Sequence, residues 1–373
     1  MSATPGNATA ATVTTAASAM GAPASGFIAT PGFDLVFFIL APWLCLALGS
    51  ALLLWPWSNE SAPFAGGERT RYQLIVAIWI YGHLAAVVFR SHLNGAIFAK
   101  HPLRFTLVPL VVYLAMAFSL PVLLFGALLA AVWDAYHTSM QNFGLARIYD
   151  AKAGNPPLRG RTLDVWINHT VYIGPLIVGA SFLPTIEGLA QFQVVGWSWP
   201  SQLLAWLAEH QPQFGGVVIV AGSAFAVYYV SAYFDLARQG HRISRQKVAL
   251  LASTALVTTF AFGMLDWFLA YAVTSLYHGL QYFGIVWWAE RDHLARQTRL
   301  AGRVPALAAL FAASIVLAGL GYEAAIQHGS REVAGAIAAG SAGPYWIFPI
   351  PFLISLMHFW YDGFIWSVRR SEI

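Results

Sequence analysis

The stretch "AVWDAYHTSMQNFGLARIYD", residues 131–150, decides how the whole chain is read. It follows a long, nearly unbroken apolar run, so it belongs inside a bilayer. Yet it carries Asp134, His137, Gln141 and Asn142 before its first basic residue, Arg147. A carboxylate at the centre of a bilayer costs at least about 2.5–3.5 kcal/mol, so groups of this kind face a partner or a polar cavity.

The rest of the chain agrees with a membrane setting. Of 373 residues, 58% are hydrophobic and 10% charged, with a mean hydropathy of +0.62. A soluble domain carries about 25% charged residues. Long apolar runs recur between short basic clusters, each long enough to cross a bilayer as a helix. The ten-residue alternating segments of a β-barrel are absent. The expected fold is all-α: a polytopic helical membrane protein. Residues 1–30 read as a disordered, uncharged Ala/Thr/Ser/Gly tail, and residues 31–373 as one transmembrane domain. No basic segment precedes the first apolar run, so no cleaved signal peptide is expected. The single cysteine, Cys45, rules out an intrachain disulfide and a cysteine metal cage.

Ten spans are expected, at about 33–57, 72–90, 104–119, 121–147, 164–185, 214–235, 247–263, 265–289, 304–321 and 344–368. Two double-length runs are split by turn signals, "SLP" at 119–121 and "FGMLD" at 262–266. With ten spans, every Lys and Arg except Arg69, Arg71 and Arg331 falls on one side. Basic residues collect on the cytoplasmic side, so both termini are expected there, in a bacterial inner membrane. This placement accounts for the net charge of +4 without a nucleic-acid partner. The outer stretch "SQLLAWLAEHQ" (201–211) reads either as an interfacial helix or as an ordinary loop.

Four histidines then fall at one depth. His83 lies 7 residues before Arg90, His137 10 before Arg147, His278 12 before Glu290 and His358 11 before Arg369. At 1.5 Å per residue these are about 10–18 Å from the same boundary, on spans that run in the same direction. Asp134, His137 and Gln141 share a helix face, as do His278 and Gln281, and His358 and Asp362. Neutral imidazole binds Fe, Cu or Zn, and a carboxylate or amide commonly fixes the ring through its second nitrogen. His83, His137, His278 and His358 are therefore the candidate metal ligands. Asp134, Gln141, Gln281 and Asp362 are the groups expected to orient them. His169, near the start of span five, is a further candidate to reach the cluster. His92, His101, His241 and His293 are expected in solvated loops. Haem with axial histidines is an alternative. A third is proton-coupled transport through Asp134 and Asp362.

"YHTSMQNFG" (136–144) and "YHGLQYFG" (277–284) are similar to one another, which suggests duplicated hairpins. "TSLYHGLQYFGIVW" and "MHFWYDGFIW" resemble the histidine-bearing helices of the Brp/Blh-type membrane carotene dioxygenases, and the His358–Asp362 spacing is similar to that family's "HGALD" motif. The resemblance implies iron held by helix histidines, here His278 and His358, and oxidation of a lipophilic substrate. It departs where the family has a second histidine and this chain has Tyr282. The ending also resembles uncharacterised bacterial membrane proteins with an H-aromatic-x-x-D-G-F-I-W motif. No P-loop, GxSxG elbow, HEXXH or desaturase histidine box is present.

Overall fold

The computed structural model describes residues 26–340 and 343–366. Among them are ten helices of eleven residues or more, and each falls on one of the apolar runs. They are α1 (Ala41–Leu54), α2 (Arg71–Ala85, continued by Val87–Ser91), α3 (Leu107–Ala117), α4 (Leu120–Lys152) and α5 (Arg161–Val178). The remainder are α6 (Trp199–Arg238), α7 (Arg245–Met264), α8 (Trp267–Gln297), α9 (Val304–Ala338) and α10 (Pro349–Ile365). A two-stranded hairpin, β1 (Ser61–Phe64) with β2 (Gly67–Thr70), links α1 to α2. By length and composition, five helices can cross a membrane unaided, and two bent pairs raise the number to seven. The bends are 58° between residues 31–39 and α1, and 98° between α5 and the segment that follows it.

Helix starts follow local chemistry. The Thr70 hydroxyl accepts the Gln73 amide while the Gln73 side chain accepts the Thr70 amide, a reciprocal capping box. The Asp266 carboxylate accepts the Phe268 and Leu269 amides and opens α8 at the turn expected there.

Proline removes an amide, which strands the carbonyl four residues earlier. This chain supplies a replacement donor at four such places. The Gln281 side chain donates to Phe38 O (3.1 Å), ahead of Pro42, and Thr258 Oγ1 donates to Val171 O (2.5 Å), ahead of Pro175. The Tyr345 amide donates to Ala117 O (2.8 Å), ahead of Pro121, and Ser58 Oγ donates to Leu52 O, ahead of Pro56. In hydrocarbon an orphaned carbonyl costs several kcal/mol, and these contacts offset that cost where proline removes the usual donor.

α8 is the central helix, buried along most of its length. α2 and α9 meet closely at Gly82 and Gly319. A Cβ on Gly319 would lie 2.3 Å from the Ile78 carbonyl, so no larger residue fits without separating the helices.

The bundle closes at one end with a buried ionic lattice. Arg147 donates to Asp150 (2.5 Å) and Asp164 (2.6 Å), and Lys247 donates to the same two carboxylates (2.8 Å each). Tyr229 and Tyr233 donate to Asp164, which ties α4, α5, α6 and α7 together. A second buried pair, Arg90 with Glu290 (2.6 Å), joins α2 to α8.

Three expectations change. Residues 201–211 form neither a loop nor a separate interfacial helix. They are part of the 40-residue α6, which continues through Pro212 into the apolar run. The expected tail ends earlier than residue 30: Ile28 is buried, and its amide and that of Ala29 donate to the Asp34 carboxylate. Residues 1–25 lie outside the described residues. His241 is not solvated but buried beside the lattice, its Nε2 3.7 Å from Asp150.

Candidate functional site

α2, α4, α8 and α10 each bring one buried imidazole to a common point. The rings of His83 and His278 are 4.8 Å apart between centroids, His278 and His137 5.0 Å, His137 and His358 4.8 Å, and His358 and His83 5.2 Å. They form a closed ring of four, packed largely edge to face. The most exposed of them, His137, shows 5% of its surface.

The nitrogens are the informative part. Nδ1 of His358 lies 3.1 Å from the Leu84 carbonyl. A carbonyl can only accept, so Nδ1 carries the hydrogen and the neutral ring presents a lone pair at Nε2. That lone pair points at His137 Nε2, 3.1 Å away. Asp362 Oδ2 is 3.7 Å from both of these Nε2 atoms. His278 is buried with no hydrogen-bond partner at either nitrogen among the described residues, and His83 has only the Ile80 backbone beside it as a partner. A buried polar atom left unpaired costs about 1–3 kcal/mol, a cost that His241 also carries beside the ionic lattice.

The donor set fits a metal. One nitrogen each from His83, His278 and His358 fall within 4.8 Å of one another. Three nitrogens bound to one tetrahedral metal at about 2.1 Å would lie about 3.4 Å apart, so the rings would have to close by up to about 1.4 Å to hold one. His137, His358 and Asp362 make a second overlapping triad.

The groups expected to orient the imidazoles divide. Asp362 does approach two rings, and its Oδ1 accepts from Tyr282 OH and Trp366 Nε1, both at 3.0 Å. Gln141 does not touch a ring: it donates to the His278 backbone carbonyl (3.0 Å) and approaches Gln281 Oε1 (3.4 Å). Gln281 serves the stranded Phe38 carbonyl instead. Asp134 lines a separate small cavity with Tyr172, Ser181, Tyr271 and Thr274. His169 stays outside as well, bonded to Ser139 Oγ (2.9 Å) and stacked on Tyr136.

Sequence reasoning treated Tyr282 only as a departure from a motif. Its ring lies 4.7 Å from that of His358 and its hydroxyl holds Asp362. The available signal was its position four residues after His278, on the same helix face. Trp366, four residues after Asp362, was missed in the same way.

A cavity of about 370 Å³ opens beside the cluster. Its lining includes His137, Asp362, Tyr282 and Phe359 from the cluster and its surroundings, and the exposed Leu158 and Arg161.

The class of protein is thereby set: a helical protein with bilayer-length apolar helices and a buried four-histidine cluster. Comparison with family models, curated proteins and solved structures gives no match.

Proposed function

We propose that this chain is an integral membrane metalloprotein that holds iron on His83, His137, His278 and His358. It acts as a non-haem oxidoreductase on a lipophilic substrate. The observation that carries the reading is His278, buried against the His83 ring with both of its nitrogens unpartnered among the described residues. The resemblance of the His278 and His358 segments to membrane carotene dioxygenases points the same way. Copper or zinc would suit the same donors. Haem is disfavoured, because the four rings are in mutual contact and leave no slot for a macrocycle between facing pairs.

When bound, iron would supply one-electron and dioxygen chemistry. The chain's own residues have definable tasks. The Leu84 carbonyl fixes the His358 tautomer, while Tyr282 and Trp366 hold Asp362 at the edge of the cluster, where it can keep or release a proton. Phe359, packed on His137, restricts water. In this reading the ten helices are ten spans with both termini cytoplasmic, in a bacterial inner membrane, as the one-sided distribution of Lys and Arg supports.

The test is metal analysis and a visible spectrum of purified protein beside a His137→Ala, His278→Ala double variant. About one iron per chain without a Soret band, lost in the variant, is the expected result. Metal-free protein from iron-replete cells would sink the reading, and a Soret band would replace it with haem.

A further inference from the structure

The cavity beside the cluster has an uneven charge distribution. Its lining includes two cations, Arg147 and Arg161, and one acid, Asp362. Arg147 is already shared between Asp150 and Asp164. Arg161 is the exposed first residue of α5, and among the described residues it has no carboxylate partner. Its guanidinium sits 5.4 Å over the Phe143 ring, which also lines the cavity. Asp362 lines the same cavity beside His137. The remaining wall is mostly apolar, with Met140, Leu145, Ile148, Ile285 and Phe359, and is interrupted by the Gln141 carboxamide, whose oxygen is buried without a partner among the described residues.

Lining residues on α4 run from Trp133 to Ala151, which is about 27 Å at 1.5 Å per residue. A volume of about 370 Å³ spread over that length lies near the lower end of ligand pockets, about 300–1,000 Å³. One extended chain fits such a space. Tyr136 and Leu158 on its wall are exposed apolar residues, so an entering ligand can come from the lipid phase.

We propose that this cavity binds one acyl chain through a single anionic group. The anion pairs with Arg161, and the chain runs along α4 to end beside His137 and Asp362. That the far end meets a reacting metal rests on the proposed function; the binding itself does not. The anion has two possible sources, the carboxylate of a free fatty acid or the headgroup of an anionic phospholipid.

The test uses the full chain in detergent with cis-parinaric acid as the fluorescent probe. Competitors are oleate, oleyl alcohol and phosphatidylglycerol vesicles. Oleate should displace the probe roughly tenfold better than oleyl alcohol, the scale of one charge-assisted hydrogen bond. Arg161→Gln should erase that preference. Gly144→Phe should abolish probe binding without unfolding the chain, because Gly144 lines the cavity and a Cβ there meets nothing within 4 Å. Displacement by oleate alone assigns a free acid, and displacement by phosphatidylglycerol assigns a lipid headgroup. Both outcomes uphold the Arg161 assignment.

Equal displacement by oleate and oleyl alcohol, or unchanged binding in Gly144→Phe, overturns the proposal. Metal content measured on the same preparations keeps the two readings apart. Metal-free protein that still prefers oleate would sink the metalloprotein alone, and iron-loaded protein that ignores oleate would sink the acyl site alone.

Discussion

His358 Nε2 faces His137 Nε2 at 3.1 Å, while the other nitrogen of His358 is committed to the Leu84 carbonyl. Two imidazoles so placed either share one hydrogen or share one cation. His278, packed against the cluster with no hydrogen-bond partner among the described residues, favours the cation.

The first prediction concerns the buried nitrogens of the cluster. His83→Leu removes two buried polar atoms, so in chelator-treated protein it should raise the melting temperature, or leave it unchanged. In iron-loaded protein the same change should lower it, since a ligand is lost. Thermal melts with and without chelator measure both. A loss of stability in the stripped protein would show that His83 has a structural role of its own.

Tyr282 and Asp134 should differ sharply. Tyr282→Phe frees Asp362 from one of its two donors, and loss of a hydrogen bond of this kind typically costs 10–100-fold in metal affinity. Asp134→Asn lies on a separate cavity and should leave metal content unchanged. Competition with a chromogenic chelator reads both variants.

The ionic lattice provides a stability test. Lys247→Met leaves Asp150 and Asp164 short of a cation in a buried site and should cost about 3–5 kcal/mol. Arg238→Met breaks only an exposed pair with Asp235 and should cost less than about 1 kcal/mol. Denaturant titration in detergent separates the two.

His241 sets a pH dependence at the same end. Burial lowers its pKa below the ordinary value of 6.5. The neighbouring cations Lys247, Arg159 and Arg147 act in the same direction, against the opposing pull of Asp150. A group depressed in the folded state stabilises the fold fully above the unfolded pKa, and that contribution is lost as pH falls toward the depressed value. Stability should therefore decline below about pH 6.5, and His241→Asn should flatten that decline in melts taken from pH 7.5 to 5. An unchanged slope would place the acid sensitivity elsewhere.

The sequence by itself determined that the chain is helical, because apolar runs of that length have no other way to satisfy their backbone. It also placed the four histidines in one slab, because the rise of a helix converts residue number directly into depth. Azimuth and neighbour identity were not legible. Asp134 shares a face with His137 but sits a turn away along the axis, level with Tyr172 and Tyr271 rather than with the imidazoles. Gln281 looked like a histidine partner until the bend before α1 left Phe38 O without an amide to accept. The lattice of Arg147, Asp150, Asp164 and Lys247 joins residues up to 100 positions apart, and no local pattern announces such a pairing. Depth is a one-dimensional quantity carried by each helix alone. Contact depends on how helices rotate and bend against one another, and only the packed structure decides that.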